Sequence, residues 1–167
     1  MSLLYPHLRC ILFDLPTVIE GAEHFIEQEF ISDRCETVSG DFFKSVPVIG
    51  DAYILARIIH DWDDSHAVTI LRNIRHRIPK HGKLLIVDYV ISYGYDASYE
   101  TLSDIVMLTL FEGGRERTEA EFRDILQKSG FEIADIIPTL SAMSIIECIP
   151  IVWKIKPEQT SEVVVDI

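Results

Sequence analysis

The stretch DAYILARIIHDWDD, residues 51–64, joins a buried strand directly to the start of a helix. Its first nine residues, 51–59, form a nearly continuous apolar run, which is typical of a parallel strand buried on both faces. Asp63 and Asp64 follow, and either of them can cap a helix. Apolar residues then recur at helical spacing until Pro79. This order of strand, cap and helix indicates an α/β unit.

Strand and helix patterns alternate on both sides of this stretch. The predicted strands cover 9–15, 35–43, 83–91 and two final segments, 131–139 and 143–155, while the predicted helices cover 17–30, 99–111 and 118–130. The last helix has the sequence of a capping box, Thr118 with Glu121. We expect the two final strands to be antiparallel. The alternation predicts an α/β doubly wound, Rossmann-like sheet with helices on both faces.

The composition excludes several classes of protein. The net charge of −12 argues against nucleic acid or an anionic membrane as a partner. No apolar run reaches about 18 residues, so no membrane span is predicted. The first ten residues do not resemble a signal peptide. Cys10, Cys35 and Cys148 are widely spaced and form neither a zinc nor a disulfide pattern. We therefore predict a cytoplasmic, single-domain protein with reduced thiols and no metal.

Three predicted strands end in acids, namely Asp14, Asp41 and Asp88. Ligands of such sheets bind at the carboxyl ends of the strands, and an acid there often binds a ribose after a glycine-rich loop. Only 13 residues precede Asp14, and none is glycine. A complete βαβ unit that carries this loop needs roughly 30 residues. We therefore expect the chain to begin inside a nucleotide-binding unit, without its first strand and the start of its first helix.

Five motifs in order carry a family resemblance: FDLPTVIE (13–20), GDFF (40–43), IIHDWDD (58–64), GKLLIVD (82–88) and GGRERTEAEF (113–122). They resemble the catalytic domain of the S-adenosylmethionine-dependent O-methyltransferases of the caffeate/hydroxyindole (acetylserotonin) type. The resemblance covers about residues 5–150. It implies a class I methyltransferase sheet, with a partial catalytic domain over 1–155 and a C-terminal tail over 156–167.

The resemblance makes His60 the base that removes the acceptor hydroxyl proton, with Asp88 and Glu116 orienting its ring. The chemistry suits the role, because imidazole titrates near neutrality and a neighbouring carboxylate fixes its tautomer. The residues alone leave other interpretations open. A histidine at a strand end is more often structural, Asp88 fits a strand-end cap, and Glu116 fits a solvated charge between two arginines.

The resemblance also implies binding residues for the cofactor S-adenosylmethionine and for the acceptor. Asp14 with its neighbour Leu15 matches the ribose site, Asp41 the adenine amino group, and Phe42 the adenine ring. Ala56 stands where plant relatives have a lysine near the cofactor, and Arg57 is the nearby substitute. The predicted acceptor pocket consists of Trp62, Met107 and Phe111, although Met107 and Phe111 equally fit a helix core.

Two main hypotheses follow. In the first, the chain is the catalytic portion of an O-methyltransferase acting on a hydroxyl of a small aromatic or enolic metabolite. In the second, it is a catalytically incompetent fragment or a subunit that needs another chain for cofactor binding. A minor third hypothesis is an offshoot of the family that catalyses a rearrangement or a decarboxylation. A missing central strand would leave unpaired edges beside it. We expect that gap to close by direct pairing, by a donated strand or, preferably, by association into a homo-oligomer or with a partner chain.

Overall fold

Strands and helices alternate along the chain as the sequence predicts. The computed structural model describes residues 5, 7–29, 31–91 and 99–152, and for 99–101 it describes the backbone alone. The predicted tail, 156–167, lies outside the described residues. The elements are β1 Cys10–Asp14, α1 Pro16–Gln28, β2 Cys35–Ser39, β3 Ala52–Ala56, a 3₁₀ turn Ile59–Asp61, α2 Asp64–Arg75, β4 Lys83–Asp88, β5 Val90–Ile91, α3 Tyr99–Leu110, β6 Arg117–Thr118, α4 Glu119–Lys128, β7 Phe131–Pro138 and β8 Ser144–Pro150. The predicted α/β class is confirmed.

The strands form one main sheet and two small ones. The main sheet has the order β3-β4-β8-β7, with β3 parallel to β4 and the other pairs antiparallel. The antiparallel final pair, β7 with β8, is therefore confirmed. β1 pairs with β2 in a separate parallel sheet, and β5 pairs with β6. Among the described residues β1 and β3 each pair on one side only, so the direct pairing considered above does not form.

Three predicted strands are shorter than their apolar patterns. The strand predicted over 35–43 ends at Ser39, and Asp41 and Phe42 lie in the turn that follows. The strand predicted over 51–59 ends at Ala56, where a turn replaces it. The strand predicted over 83–91 divides at Tyr89 into β4 and β5. In each case the strand ends at the carboxyl edge of a sheet, where the residues turn toward the site described below.

Helix ends follow the capping rules. Asp63, one of the two predicted candidates, caps α2 by accepting from the His66 amide at 2.9 Å. The capping box of α4 is complete, with Thr118 and Glu121 bonding to each other's backbone amides. Pro16 opens α1, where its missing N–H is no loss. Local sequence therefore fixes where these three helices begin.

The core lies between the main sheet and the helices α2 and α4. Alternate residues of β4 point into it, beginning with Leu84 and Ile86. Its buried members include Ala67, Ile70, Leu71, Ile74, Phe122, Ile125, Leu126, Phe131, Ile146 and Cys148. Asp88 lies on the same buried face of β4, one alternation further. β4 therefore contributes two core side chains and, at its carboxyl end, the buried carboxyl group of Asp88.

No helix in the described part of the chain combines the length and the apolar character that crossing a membrane requires.

Candidate active site

The chain turns sharply after β3 and carries His60 into the interior. Arg57 has a φ of 55°, a left-handed conformation that is uncommon for a residue other than glycine. Its amide donates to the Val87 carbonyl at 3.0 Å, which ties the turn to β4. The 3₁₀ turn then leaves His60 only 2% exposed. We call residues 59–64 the His60 turn.

Three carboxyl groups surround the imidazole ring of His60. Nδ1 donates to Glu116 Oε1 at 2.9 Å and lies 3.2 Å from Asp88 Oδ1. Nε2, on the other side of the ring, lies 3.3 Å from Asp61 Oδ1. Asp88 comes from the end of β4 and Glu116 from the loop between α3 and β6. The structure therefore brings the three predicted catalytic residues together from three separate parts of the chain.

Glu116 is held in place by α3. Its backbone amide donates to Asp104 Oδ1 at 2.9 Å, and Ser103 Oγ donates to its Oε1 at 2.6 Å. The residue is 2% exposed. The interpretation of Glu116 as a solvated charge is therefore wrong. Sequence reasoning missed Ser103 and Asp104, because a serine and an aspartate on an apolar helix gave no sign of a distant partner.

The carboxyl groups change the proton affinity of the ring. Burial lowers the pKa of His60, but the hydrogen bond to Glu116 and the charges of Asp88, Glu116 and Asp61 outweigh burial, so the pKa is raised. Burial raises the pKa of Asp88 most, the charge of His60 lowers it and the charge of Glu116 raises it, and together they leave the pKa at about 7. Near neutral pH these side chains therefore bind more protons in the cluster than they would bind separately in water.

The buried carboxyl oxygens explain this preference for a proton. Among the described residues, neither Asp88 oxygen nor Glu116 Oε2 has a donor in hydrogen-bonding geometry. The backbone amides of His60 and Tyr89 approach Asp88 closely enough to lower its pKa, but burial outweighs them. A ligand atom from each of His60, Asp88 and Glu116 lies within 4.8 Å of the others, a spacing that a metal ion also accepts. Because the Nδ1 of His60 already bonds to Glu116, we interpret the cluster as a proton-holding site.

Asp14 and Asp41 lie close together at the carboxyl edge of the small sheet formed by β1 and β2. The amide of Gly40 donates to the Asp14 carbonyl at 2.9 Å, which places the start of the turn beside the end of β1. Each acid uses Oδ1 for a local amide, Asp14 for Leu15 at 2.7 Å and Asp41 for Phe43 at 2.9 Å. A side chain at position 40 would overlap the ring of Phe13, so glycine permits this approach.

Phe42 connects this edge with the His60 turn. Its ring centroid is 6.3 Å from that of Trp62, and Phe43 is closer to Trp62, at 4.7 Å. Asn73 of α2 donates to the carbonyls of Phe42 and Phe43 at 2.8 and 3.0 Å. Trp62, predicted for the acceptor pocket, thus packs against the aromatic side chains of the predicted cofactor edge. Asn73 gave no signal in the sequence.

The other predicted binding residues lie near the His60 turn. Met107 is buried, whereas Phe111, the residue after α3, is exposed. Gly114 packs between them and the His60 carbonyl, where a side chain would collide with Phe111. Arg57 is exposed, and its charge lowers the pKa of Asp61, which burial raises more strongly. Arg57 therefore lies close to the carboxyl groups that surround His60.

A model of the O-methyltransferase domain matches residues 1–132 of the chain. The chain belongs to the O-methyltransferase domain family. The family prediction is thus confirmed, while the functional roles of individual residues stay predictions.

Known O-methyltransferases resemble the chain in sequence and in structure. The phenazine O-methyltransferase PhzM of Lysobacter antibioticus is 45% identical over 146 residues, which are 87% of this chain and 42% of that protein. The crystal structure of LaPhzM matches with a TM-score of 0.86 and 44% identity over 90% of this chain and 45% of that one. The O-methyltransferase NcsB1 of neocarzinostatin biosynthesis, solved with S-adenosylmethionine and 2-hydroxy-5-methyl naphthoic acid, matches with a TM-score of 0.80 and 30% identity over 90% and 44%. The chain spans less than half the length of these relatives.

Proposed function

We propose that this chain carries the acceptor-activating part of an O-methyltransferase that moves a methyl group from S-adenosylmethionine to a hydroxyl of a small aromatic or enolic metabolite. The observation that carries the proposal is the buried ring of His60, whose Nδ1 lies between Glu116 and Asp88. The aromatic acid bound to NcsB1 supports the substrate class, because that protein shares the fold of this chain.

His60 acts as the general base in this proposal. Because Nδ1 bonds to Glu116, Nε2 is the atom left to take the proton of the acceptor hydroxyl. Nε2 now faces Asp61, which must share or yield that position when the acceptor binds. The proton leaves the hydroxyl for Nε2, and the acceptor oxygen gains the nucleophilic character that a hydroxyl lacks. The carboxylates of Glu116 and Asp88 stabilise the imidazolium that forms.

The raised pKa of His60 has two effects on catalysis. It makes the neutral ring a stronger base, but it also keeps the ring protonated to a higher pH. Only the neutral ring can accept a proton. We therefore expect kcat/KM to rise as the pH increases through the pKa of His60, which lies above 6.5.

The edge of β1 and β2 fits the nucleoside end of S-adenosylmethionine. Asp14 and Asp41 each have a second carboxylate oxygen beyond the local amide bond, and such oxygens accept from ribose hydroxyls or an adenine amino group. That of Asp41 lies 3.4 Å from Nζ of the exposed Lys44, which the adenine amino group would have to displace or share. We assign Leu15 and Phe42 to the apolar surroundings of the same end and Arg57 to the side near Asp61. When bound, the cofactor supplies an electrophilic methyl group. Trp62, Met107 and Phe111 then line the acceptor side.

Replacing His60 tests the proposed reaction. This chain would be joined to the N-terminal part of the Lysobacter relative, and methyl transfer to a panel of phenols and hydroxylated phenazines would be measured with labelled cofactor. We expect the His60→Ala variant to lose about 10²–10⁴-fold in kcat, the usual contribution of a positioned base. The exposed His81, in the loop between α2 and β4, provides the matched control, His81→Ala, which should keep full activity. If His60→Ala retained most of its turnover, the histidine would have no part in the mechanism.

We further propose that the chain associates with a second copy or with a partner chain. Two observations support this, namely the unpaired edges of β1 and β3 among the described residues and the exposed apolar side chains of α3. These side chains are Leu102, Ile105, Leu108 and Leu110. We expect light scattering to give a mass of at least two chains. The double variant Leu102→Ser, Leu108→Ser should lower that mass, while a monomeric wild-type chain with a sharp thermal transition would contradict the proposal.

A further inference from the structure

Arg117 is a fully buried cation whose side-chain hydrogen bonds, in the described part of the chain, all go to the His60 turn. The residue is 0% exposed. Its Nη1 donates to the Ile59 carbonyl at 2.9 Å, and its Nη2 to the Trp62 carbonyl at 2.7 Å. Nε and Nη2 also donate to Asp64 Oδ1 at 3.0 and 2.8 Å. The guanidinium therefore contacts the turn on both sides of His60.

The backbone around Arg117 contacts the same turn. We call residues 113–118 the Arg117 loop. The amide of Arg115 donates to the His60 carbonyl at 2.8 Å. Gly114 allows this contact, because a side chain there would lie 2.7 Å from Phe111 and 3.2 Å from the His60 carbonyl. The Arg117 loop thus binds the carbonyls of Ile59, His60 and Trp62.

These contacts meet a physical need of the turn. A short 3₁₀ turn leaves carbonyl groups without partners in the chain, and buried carbonyls without donors are costly. A guanidinium group donates several hydrogen bonds from one rigid plane, so a single side chain can satisfy two carbonyls and a carboxylate together. Burial of the cation is offset by Asp64, whose side chain is 46% exposed. Arg117 therefore holds the backbone of the His60 turn, which carries the imidazole ring of His60.

The Arg117 loop also contains Glu116, the residue that accepts the hydrogen bond from Nδ1 of His60. Glu116 precedes Arg117 directly, so the guanidinium and the carboxylate that bonds to Nδ1 come from neighbouring residues. β6 pairs Arg117 with Val90, two residues beyond Asp88, which ties the loop to the strand that carries the second carboxyl group. A shift of the loop would move Glu116 relative to both Asp88 and His60.

We propose that Arg117 is a positioning residue for His60, which holds the His60 turn so that Nδ1 stays against Glu116 and Asp88. The proposal rests on the proposed function in one respect, namely that His60 is the base. Arg117 touches no reacting atom in this arrangement. It acts through the backbone of the turn and through its neighbour Glu116.

Nitrogen NMR on the full 167-residue chain with labelled histidine tests the positioning directly. The charged groups that face the ring are Asp61, Asp88 and Glu116. In the wild type we expect the Nδ1–H tautomer and a raised pKa of His60. In Arg117→Lys we expect mixed tautomers and a pKa lowered by about one unit, because the contact with Glu116 loosens.

The chain offers a matched control for the loss of an arginine. Arg75 donates to the carbonyls of Gly130 and Ile151 at 3.0 and 2.9 Å, so it also holds a loop by its backbone, but it has no contact with His60. Arg75→Lys should lower the free energy of unfolding without changing the His60 signals. If Arg117→Lys leaves the tautomer and the pKa of His60 as they are in Arg75→Lys, the proposal is overturned.

A second variant decides the matter if Arg117→Lys does not fold. Asp64→Asn removes the carboxylate partner at the surface and leaves the guanidinium on its two carbonyls. We expect a smaller change of the same His60 signals, and no change would overturn the proposal.

The joined enzyme described above separates this proposal from the proposed function. There, Arg117→Lys should lower kcat more than it raises the KM of the cofactor, and it should move the acidic limb of the pH profile to lower pH. If the joined wild type has no methyltransferase activity, the proposed function fails, while the NMR experiment still decides the role of Arg117.

Discussion

At the scale of single residues, Asp88 combines a buried position with a charge that the fold does not fully compensate. Its pKa of about 7 lies above the value of 3.8 in the unfolded chain, so the folded state binds more protons in between. The sign follows by linkage. The stability contributed by protonated Asp88 is fully present below pH 3.8 and is lost as the pH rises through 7. The pKa of His60 is also raised, so this residue contributes in the same direction and its contribution is lost as the pH rises through that raised pKa.

Replacing Asp88 by asparagine should therefore stabilise the chain at high pH. The amide cannot ionise, so Asp88→Asn avoids a buried charge that lacks donors. We expect the free energy of unfolding to exceed that of the wild type by roughly 1–3 kcal/mol at pH 8. At pH 5 the difference should be much smaller. Urea unfolding at both values measures it, with Asp51→Asn as the control, because the side chain of Asp51 is 94% exposed. Equal differences at pH 5 and pH 8 would contradict the assignment.

At the scale of elements, the N-cap of α2 lies within the His60 turn. Asp63 accepts from the amide of His66 and from Ser65 Oγ, and the first of these bonds lowers its pKa most, to about 2. We expect Asp63→Ala to lower the free energy of unfolding by about 0.5–2 kcal/mol. Asp63→Asn retains an acceptor and should cost far less. Thermal unfolding compares the two, and equal losses would show that the charge of Asp63 matters more than its hydrogen bond.

The elements also show what the sequence could predict and what it could not. Pro16, Asp63, Thr118 and Glu121 act on residues within one helical turn of themselves, so the starts of three helices followed from local rules. The left-handed Arg57, by contrast, is imposed by its bond to Val87 on another strand. The family resemblance supplied His60, Asp88 and Glu116 before any geometry was known. It did not supply the donors around them, because Ser103 and Arg117 acquire their partners only through tertiary contacts.

At the scale of the whole molecule, the described residues provide only one end of the proposed cofactor site. In the proposed function, Asp14, Asp41 and Phe42 bind the ribose and adenine end. The described part of the chain contains no glycine-rich turn between a strand and a helix to supply backbone amides for the other end. Such amides bind an anionic group well, and side chains rarely replace them.

The 167-residue chain alone should therefore bind S-adenosylmethionine much more weakly than a full-length relative does. Calorimetry with the purified chain, and with the joined enzyme as the positive control, measures the difference. We expect Asp14→Ala to reduce binding in the joined enzyme and to weaken the binding of the single chain further, because Asp14 belongs to the end of the site that the single chain provides. Micromolar affinity at one site per isolated chain would contradict this expectation.

The alternation along β4 has a consequence for how the protein can change. Leu84, Ile86 and Asp88 share one face of a strand that is hydrogen-bonded on both sides. A slip of one residue would move all three side chains to the opposite face. The register that buries Leu84 and Ile86 is therefore also the register that directs the carboxyl group of Asp88 toward His60. Amide exchange at Ile86, which is paired on both sides, should accordingly require opening of the sheet. Selection for a new acceptor can therefore change α3 and the loops, whereas the position of Asp88 is fixed by the packing of the core.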